Sequence, residues 1–404
     1  MVDLVGKKIV LGVTGGIAAY KSVELLRNLI KEGASVQVLM TPNATWFVGP
    51  LTFEALSGKR VIEDMFSRQG ASIDHVTLGQ DSDLIIIAPA TANFLAKTAH
   101  GIGDDFLSTL MLAATAQTLI CPAMDKEMFT NTVVQDNIQS LKERGFIIME
   151  PEEGVLATGA VGLGRFPDPS TIMETIRYLL AQKDLQGLRM LITAGPTIEY
   201  LDPVRIITNR STGKMGFALA RTAWRRGAEV TLIAGPTYLD PPQGVRTVQV
   251  STAEEMREAV LQYYREQDVV IKAAAVSDYR PRKKAQEKEK KKGSPLSIDM
   301  VPTPDILAEL GKDKGMVTLV GFAAETDDHV AHARDKLHKK NLDLIVLNDV
   351  SREDRGFASD LNEVRMIDRH GNEDIVSLMP KEQVADRILD KIVELRKGWT
   401  KDRR

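Results

Sequence analysis

Two groups of residues in this sequence have the types and spacing that chemistry requires. One lies in Leu191–Gly216, LITAGPTIEYLDPVRIITNRSTGKMG, where an apolar, β-branched run meets Ala-Gly-Pro. A second glycine-rich cluster, Ser211 to Gly216, precedes a helical pattern over Phe217–Arg226. A strand feeding such a loop and then a helix N-terminus gathers free backbone N–H groups and the positive end of the helix dipole, which suits an anion. Lys214 sits inside that loop and Asn209 just ahead of it. Further on, a strand pattern over Asp268–Ala273 runs into Ala274 and places Asp278 beyond its end. There it reads either as a turn former or as a carboxylate sharing a Mg2+ with phosphate oxygens. Arg282–Lys292 (RKKAQEKEKKK) reads as solvated surface or as a basic loop able to close over a polyphosphate.

The other group marks four strand ends in the first half. Gly15, Gly16, Ile17 and Ala18 follow KKIVLGV and Thr14; Thr41 follows SVQVLM; Thr91 and Asn93 follow LIIIA and Pro89; Met124 and Asp125 follow Thr118–Cys121. Ligands of open α/β sheets bind beyond the carboxyl ends of the strands. Small and hydroxyl-bearing residues at those ends suit a phosphate tail and a flat ring. The loop is not G-x-G-x-x-G, which disfavours a nicotinamide dinucleotide. His75 reads as a rim acid–base group or as a structural histidine. Cys121, the only cysteine, reads as a thiol beside the loop or as inert packing.

The elements needed to position these groups follow an α/β pattern: two doubly wound, Rossmann-like domains, the first flavodoxin-like, over 1–188 and 189–404. A chain of 404 residues is too long for one ordinary core. Pro151–Pro169 is Gly- and Pro-rich and reads as a mobile flap, followed by a helix over Ser170–Gln182 with Ser170 as its cap. A helix over His329–Lys339 sets Lys336 four residues from Lys340, on one face. His329 and His332 on it have no evident third ligand, so zinc is not expected. A net charge of −3 gives no reason to expect nucleic acid or an anionic membrane as partner. One cysteine excludes an intramolecular disulfide framework. Without a signal-peptide pattern or a run of about 20 apolar residues, a cytoplasmic soluble protein is expected.

The motifs GGIAAYK, VLMTPNATWFV, IDHVTLG, PATANFLAK, GIGDDFLST, PAMD and GLGRF stand in the order seen in flavin-dependent cysteine decarboxylases. The chain resembles in particular the bifunctional phosphopantothenoylcysteine decarboxylase/phosphopantothenate–cysteine ligase family of coenzyme A synthesis. The resemblance implies that His75 assists decarboxylation. It implies that Gly15, Gly16, Ile17, Ala18, Thr41, Thr91, Asn93 and Ser108 hold FMN, and that Met124 and Asp125 meet the pantothenoyl group. Two departures stand out. Asp125 replaces the family's usual asparagine, and Thr158 stands where the flap cysteine that protonates the enethiol intermediate is usual. A hydroxyl is a poor acid at neutral pH.

The second half carries TAGPTIEYLDPVR, TNRSTGKMG, AAAVSDYRP, KEKK, TPDI, GFAAET and KKNLDLIVLNDV. It is similar to the ligase of the same family. The resemblance implies a catalytic role for Asn209 in turning over an acyl-nucleotide and for Lys288 in closing over it. By the same resemblance Lys214, Ala273, Ala274, Asp278, Thr303, Pro304, Asp305, Ile306, Phe322, Lys336 and Lys340 contact CTP or substrate, with Asp278 at a Mg2+. Trimers or a dodecamer of the flavin half and dimers of the ligase half are implied as well. Three readings stand: a two-activity enzyme; an active ligase whose flavin half binds FMN but decarboxylates atypically; and an FMN-binding regulatory protein.

Overall fold

The computed structural model describes residues 4–65, 74–288, 297–325, 329–349 and 359–401. The chain divides into two compact units, 2–180 and 181–404. That division falls ahead of the expected residue 188, because Leu185 is fully buried in the core of the second unit.

In the first unit five parallel strands form one sheet: β1 (Lys8–Val13), β2 (Ser35–Met40), β3 (Leu84–Ala90), β4 (Thr118–Pro122) and β5 (Ile147–Ile148). Every residue of β3 is buried, as expected of a strand covered on both faces. The spatial order β2-β1-β3-β4-β5 is the flavodoxin-like winding, which reverses direction between β1 and β3 and opens a crevice there. Pro151–Pro169 contains an antiparallel hairpin of β6 (Glu152–Val155) and β7 (Val161–Arg165). The helix after it runs over Pro169–Leu180, and the Asp168 carboxylate, not Ser170, caps it, accepting from the Ser170 N–H at 2.8 Å.

The second unit is built on β8 (Arg189–Ala194), with a short hairpin of β9 (Ile198–Tyr200) and β10 (Ile206–Thr208) beyond it. Next come β11 (Glu229–Ala234), β12 (Arg246–Gln249), β13 (Val269–Lys272), the β14 (Tyr279–Pro281) and β15 (Met300–Pro302) ribbon, β16 (Thr318–Glu325) and β17 (Leu344–Asp349). The parallel part of the sheet runs β12-β11-β8-β13-β16-β17. Counted within the unit this is the 3-2-1-4-5-6 dinucleotide winding, with its switch point between β8 and β13. An antiparallel pair, β18 (Leu361–Asp368) and β19 (Glu373–Pro380), extends the edge, and a helix over Lys381–Lys401 closes the chain. Val384, Ala385, Ile388, Leu389 and Ile392 form that helix's fully buried stripe. Its Glu382 accepts from Arg221 at 2.8 Å and from the buried Arg225 at 3.1 Å, fastening it to the helix Lys214–Arg225. Burial works against the ionised Glu382, yet the two guanidiniums hold its carboxyl down to about 2. Among the described residues no helix is long and apolar enough to cross a membrane.

Candidate functional sites

Each unit opens a cavity at its switch point. In the first, Gly15, Gly16, Ile17, Ala18, Thr91, Met124, Asp125 and Thr158 line a space of about 710 Å³. Thr41, Asn93, Thr91 and Gly15 line an adjoining space of about 420 Å³. The strand ends are tied together through Thr14, whose hydroxyl donates to the Pro89 carbonyl at 2.8 Å and accepts from the Thr91 N–H at 3.0 Å. A side chain at position 15 would collide with Asn43, so the glycine keeps that loop close-packed. The helix Ala19–Lys31 begins at Ala18, with no side-chain cap. Thr91, Asp105, Asn131 and Thr252, by contrast, cap their helices with side-chain oxygens. Gly15 to Ala18 therefore present an uncapped helix N-terminus to the cavity, which fits a phosphate, while the small strand-end residues and Met124 fit a ring.

Two expected residues are not on these walls. His75 lies on a helix over Asp74–Asp81 and packs edge-on against Phe106 with ring centroids 6.1 Å apart. Ser108 is buried in a reciprocal capping box: its hydroxyl accepts from the Asp105 N–H and its own N–H donates to the Asp105 carboxylate at 2.7 Å. The hydroxyl is thereby committed to the helix end. Cys121 is fully buried with its Sγ 3.7 Å from the Met149 sulfur, and burial pushes its thiol far up. It is core packing, not a proton donor. Thr158, on the turn of the hairpin, donates to Asp125 Oδ2 at 3.2 Å.

In the second unit a cavity of about 520 Å³ brings together Asn209, Lys214, Ala273, Ala274, Asp278, Phe322, Lys336 and Lys340. The helix Lys214–Arg225 starts at Gly213, in the left-handed region at φ 80°, again with no side-chain cap. Asn209 donates from Nδ2 to the carbonyls of Ala275 and Val276 at 3.1 and 3.2 Å, bracing the loop after β13. The Asp278 carboxylate reaches the wall while its carbonyl accepts from the Thr303 N–H at 2.9 Å. One carboxylate beside a phosphate site fits a Mg2+ that takes its remaining ligands from substrate and water.

Thr303 to Ile306 are not among the residues lining this cavity. The Thr303 hydroxyl donates to the Ser277 carbonyl at 2.5 Å, and Ile306 is in the core. Asp305 caps the helix Ile306–Lys312, with Pro304 just ahead of the cap. Burial disfavours the ionised Asp305, yet Lys340, at 2.7 Å, and the Ala308 N–H hold its carboxyl below the usual range. Lys288 is exposed and absent from the wall. The loop it follows is anchored elsewhere: Ala285 N–H donates to the Leu201 carbonyl at 2.9 Å and Lys284 lies over the Tyr200 ring. Glu289 to Lys292, the rest of that basic run, lie outside the described residues, as do residues 293–296.

Lys272 and Lys381 also line the cavity, and sequence reasoning passed over both. Burial, helped by repulsion from Lys340, brings Lys272 down to about 8; burial and Lys214 bring Lys381 to about 8. Lys272 ends a wholly apolar strand at the sheet's carboxyl edge, a placement visible in VVIK; no comparable signal marks Lys381. Among the described residues five lysines thus share one wall.

Residues 2–181 match the Flavoprotein family, and residues 185–395 match the DNA/pantothenate metabolism flavoprotein C-terminal domain. The coenzyme A biosynthesis bifunctional protein CoaBC of Bacillus subtilis is 46% identical over 396 residues, covering 97% of this chain and 98% of its own. Its namesake in Escherichia coli K12 is 45% identical over 397 residues, with 97% and 98% covered. A crystal structure of a CoaBC C-terminal domain covers 54% of this chain and all of its own, at 44% identity and a TM-score of 0.47. With both family matches and relatives aligned nearly end to end, the chain belongs to the CoaBC family of bifunctional coenzyme A biosynthesis enzymes, a flavoprotein decarboxylase and a ligase on one polypeptide.

Proposed function

We propose that the second unit joins cysteine to 4′-phosphopantothenate with CTP, through an acyl-cytidylate. The first unit then decarboxylates 4′-phosphopantothenoylcysteine to 4′-phosphopantetheine with FMN. The observation that carries this reading is that both switch-point cavities open on a helix N-terminus with no side-chain cap. Two phosphorylated guests are what such ends recognise.

A carboxylate is a poor electrophile until it displaces pyrophosphate from an α-phosphate. The lysine wall and the amides after Gly213 supply the charge that the leaving group requires. Lys336 and Lys340 hold the nucleotide end beside Phe322, and Asp278 holds a Mg2+ against the phosphates. Asn209 keeps the loop after β13 in place beside the acyl group. Lys288 stands away from this wall, so its closing role requires its loop to travel on binding, or a second subunit to present it. In the flavin half, Gly15 to Ala18, Thr41, Thr91 and Asn93 would hold FMN, which supplies a hydride acceptor and donor. Met124 and Asp125 would meet the substrate. We place the enzyme in the cytoplasm as a homo-oligomer, with trimeric or dodecameric flavin halves and dimeric ligase halves. Exposed Trp46, Leu51 and Val161 supply apolar contact surface for that assembly.

The test is a mass measurement on the full chain. With 4′-phosphopantothenate, cysteine and CTP, 4′-phosphopantothenoylcysteine forms first, then CO2 and 4′-phosphopantetheine. A protein that gains no yellow absorbance with added FMN, or forms no amide with CTP, refutes the corresponding half.

A further inference from the structure

We propose that Asp125 and Thr158 form the acid–base pair of the decarboxylase, Asp125 taking up and later returning one proton through the Thr158 hydroxyl. This rests on the flavin-dependent decarboxylation proposed above. The two positions at which the flavin half departs from its family's usual residues are distant in sequence, yet they are hydrogen-bonded to each other on the cavity wall.

The geometry holds both partners. Asp125 is braced by the Glu127 N–H, which donates to Oδ1 at 3.1 Å and leaves Oδ2 for Thr158. A tight turn presents Thr158: Leu156 N–H donates to the Ala160 carbonyl at 2.8 Å and Gly159 N–H to the Leu156 carbonyl at 2.9 Å, with Gly159 at φ 83°. The hairpin is docked at the same corner. Met124 N–H donates to the Gly164 carbonyl at 3.0 Å, and Gly164, at φ 138°, has no room for a side chain against the Met124 carbonyl. Lys21 and Arg165 are the other charged groups on this wall, Tyr20 adds a phenol, and Lys126 packs under Gly162 of the hairpin. Among the described residues Asp125 is the one carboxyl in the lining. Cys121 is buried elsewhere and His75 is off the wall.

The proton balance closes on this pair. As the thiol carbon of the substrate gives up a hydride equivalent to the bound cofactor, the thiol proton passes to Thr158 and the Thr158 proton to the Asp125 carboxylate. The resulting thioaldehyde accepts the electron pair of the breaking C–C bond, CO2 leaves, and an enethiolate remains. Asp125, now a carboxylic acid, returns its proton through Thr158 to the carbon next to nitrogen. The hydride equivalent returns to the sulfur-bearing carbon, and solvent protonates the thiolate. A hydroxyl alone is too weak an acid for the return step, but a hydroxyl backed by a loaded carboxylic acid is not. Asparagine at position 125 cannot carry the proton, so it needs a thiol at position 158. Aspartate removes that need, and the two departures compensate each other.

The test uses the full-length enzyme with 4′-phosphopantothenoylcysteine, reading CO2 and the ratio of enethiol to thiol product by mass. Asp125→Asn and Thr158→Val each raise that ratio at least tenfold. Thr158→Ser keeps the original ratio, and Asp125→Asn combined with Thr158→Cys recovers it. Hydrogen exchange at Leu156–Val161 gives a readout free of turnover. Thr158→Val speeds it about fivefold, as loss of one net hydrogen bond should, whereas Asp125→Asn, whose amide oxygen still accepts from Thr158, leaves it unchanged. Thiol formed by Asp125→Asn at the original ratio, or unaltered exchange in Thr158→Val, overturns the pair and leaves the decarboxylase reading intact. An unsubstituted enzyme that releases no CO2 overturns that reading itself.

Discussion

Replacing Lys381 by methionine should make the second unit more stable at neutral pH and its ligase less active. Lys381 is 7% exposed, and its ammonium is pushed from 10.5 down to about 8 by burial and by Lys214. It also opens the helix Lys381–Lys401, at the end where the dipole disfavours a cation. The unfolded chain keeps this proton up to about pH 10.5 and the folded chain only to about 8. The full cost of the charge is therefore present below about 8, and stability recovers as pH rises through that window. At about 1.4 kcal/mol per pH unit, the cost at neutral pH is on the order of 3 kcal/mol. Methionine keeps the stem's packing but gives up the ammonium's hydrogen bonding, which trims the gain to about 1–2 kcal/mol. For a unit of this size that is about 2–8 °C in Tm. Calorimetry of both proteins from neutral pH to above 10.5 should show the variant's advantage shrinking through the window, while the KM for the nucleotide rises about tenfold. A variant less stable at neutral pH, or an advantage that does not change with pH, refutes the account of Lys381 as a desolvated cation.

Gly216→Ala should cost about 1–3 kcal/mol by overpacking, because its side chain would meet the Ala194 Cβ at 2.5 Å and the Thr193 carbonyl at 3.0 Å. Pushing the helix N-terminus off β8 should lower Tm and raise the nucleotide KM together; a change in neither refutes the close-approach role. Gly164→Ala places its side chain against the Met124 carbonyl at φ 138°, and should cut decarboxylation at least tenfold with ligation unaffected. Equal loss of both activities would show that the hairpin is not the element disturbed.

The strand ends were legible because a buried parallel strand is a short apolar run with an abrupt stop. LIIIA before Pro89 and LITA before Gly195 carry that signal without help from tertiary structure. Both windings followed, since helices alternate with such runs along both halves. The edge pair β18–β19 and the closing helix were not read, although the apolar spacing from Val384 to Leu395 is that of a helix stripe. Side-chain commitments were beyond reach for a physical reason. Ser108 belongs to Asp105, Asp168 displaces Ser170 as a cap, and the stretch holding His75 coils into a helix. Each depends on which neighbour a polar group finds, and sequence spacing does not specify that. Lys381 was invisible for the same reason: a lysine opening a helix is ordinary surface until the fold buries it.

The two cavities also share an energetic logic that the fold alone does not require. A side-chain cap stabilises a helix by about 1 kcal/mol, and this chain forgoes one at each switch point. Ser211, close enough to cap, instead accepts from the Gly213 N–H at 3.3 Å, outside the helix. Lys272 and Lys381 are held partly desolvated on the same wall, each with its ammonium brought down to about 8. Helix ends without a side-chain cap and desolvated cations are costs to the unliganded protein that an anion reduces on arrival. Binding therefore adds stability beyond its own contacts, by mass action on the folded state alone. The larger cavity of the first unit has the uncapped helix end but, among the described residues, only Lys21 and Arg165 as cations, with Lys97 in the adjoining space and an otherwise largely small and apolar lining. That difference follows the chemistry: a ring and a phosphate that stay bound ask for shape and amides. The triphosphate proposed for the second unit would ask instead for positive charge where its leaving group forms.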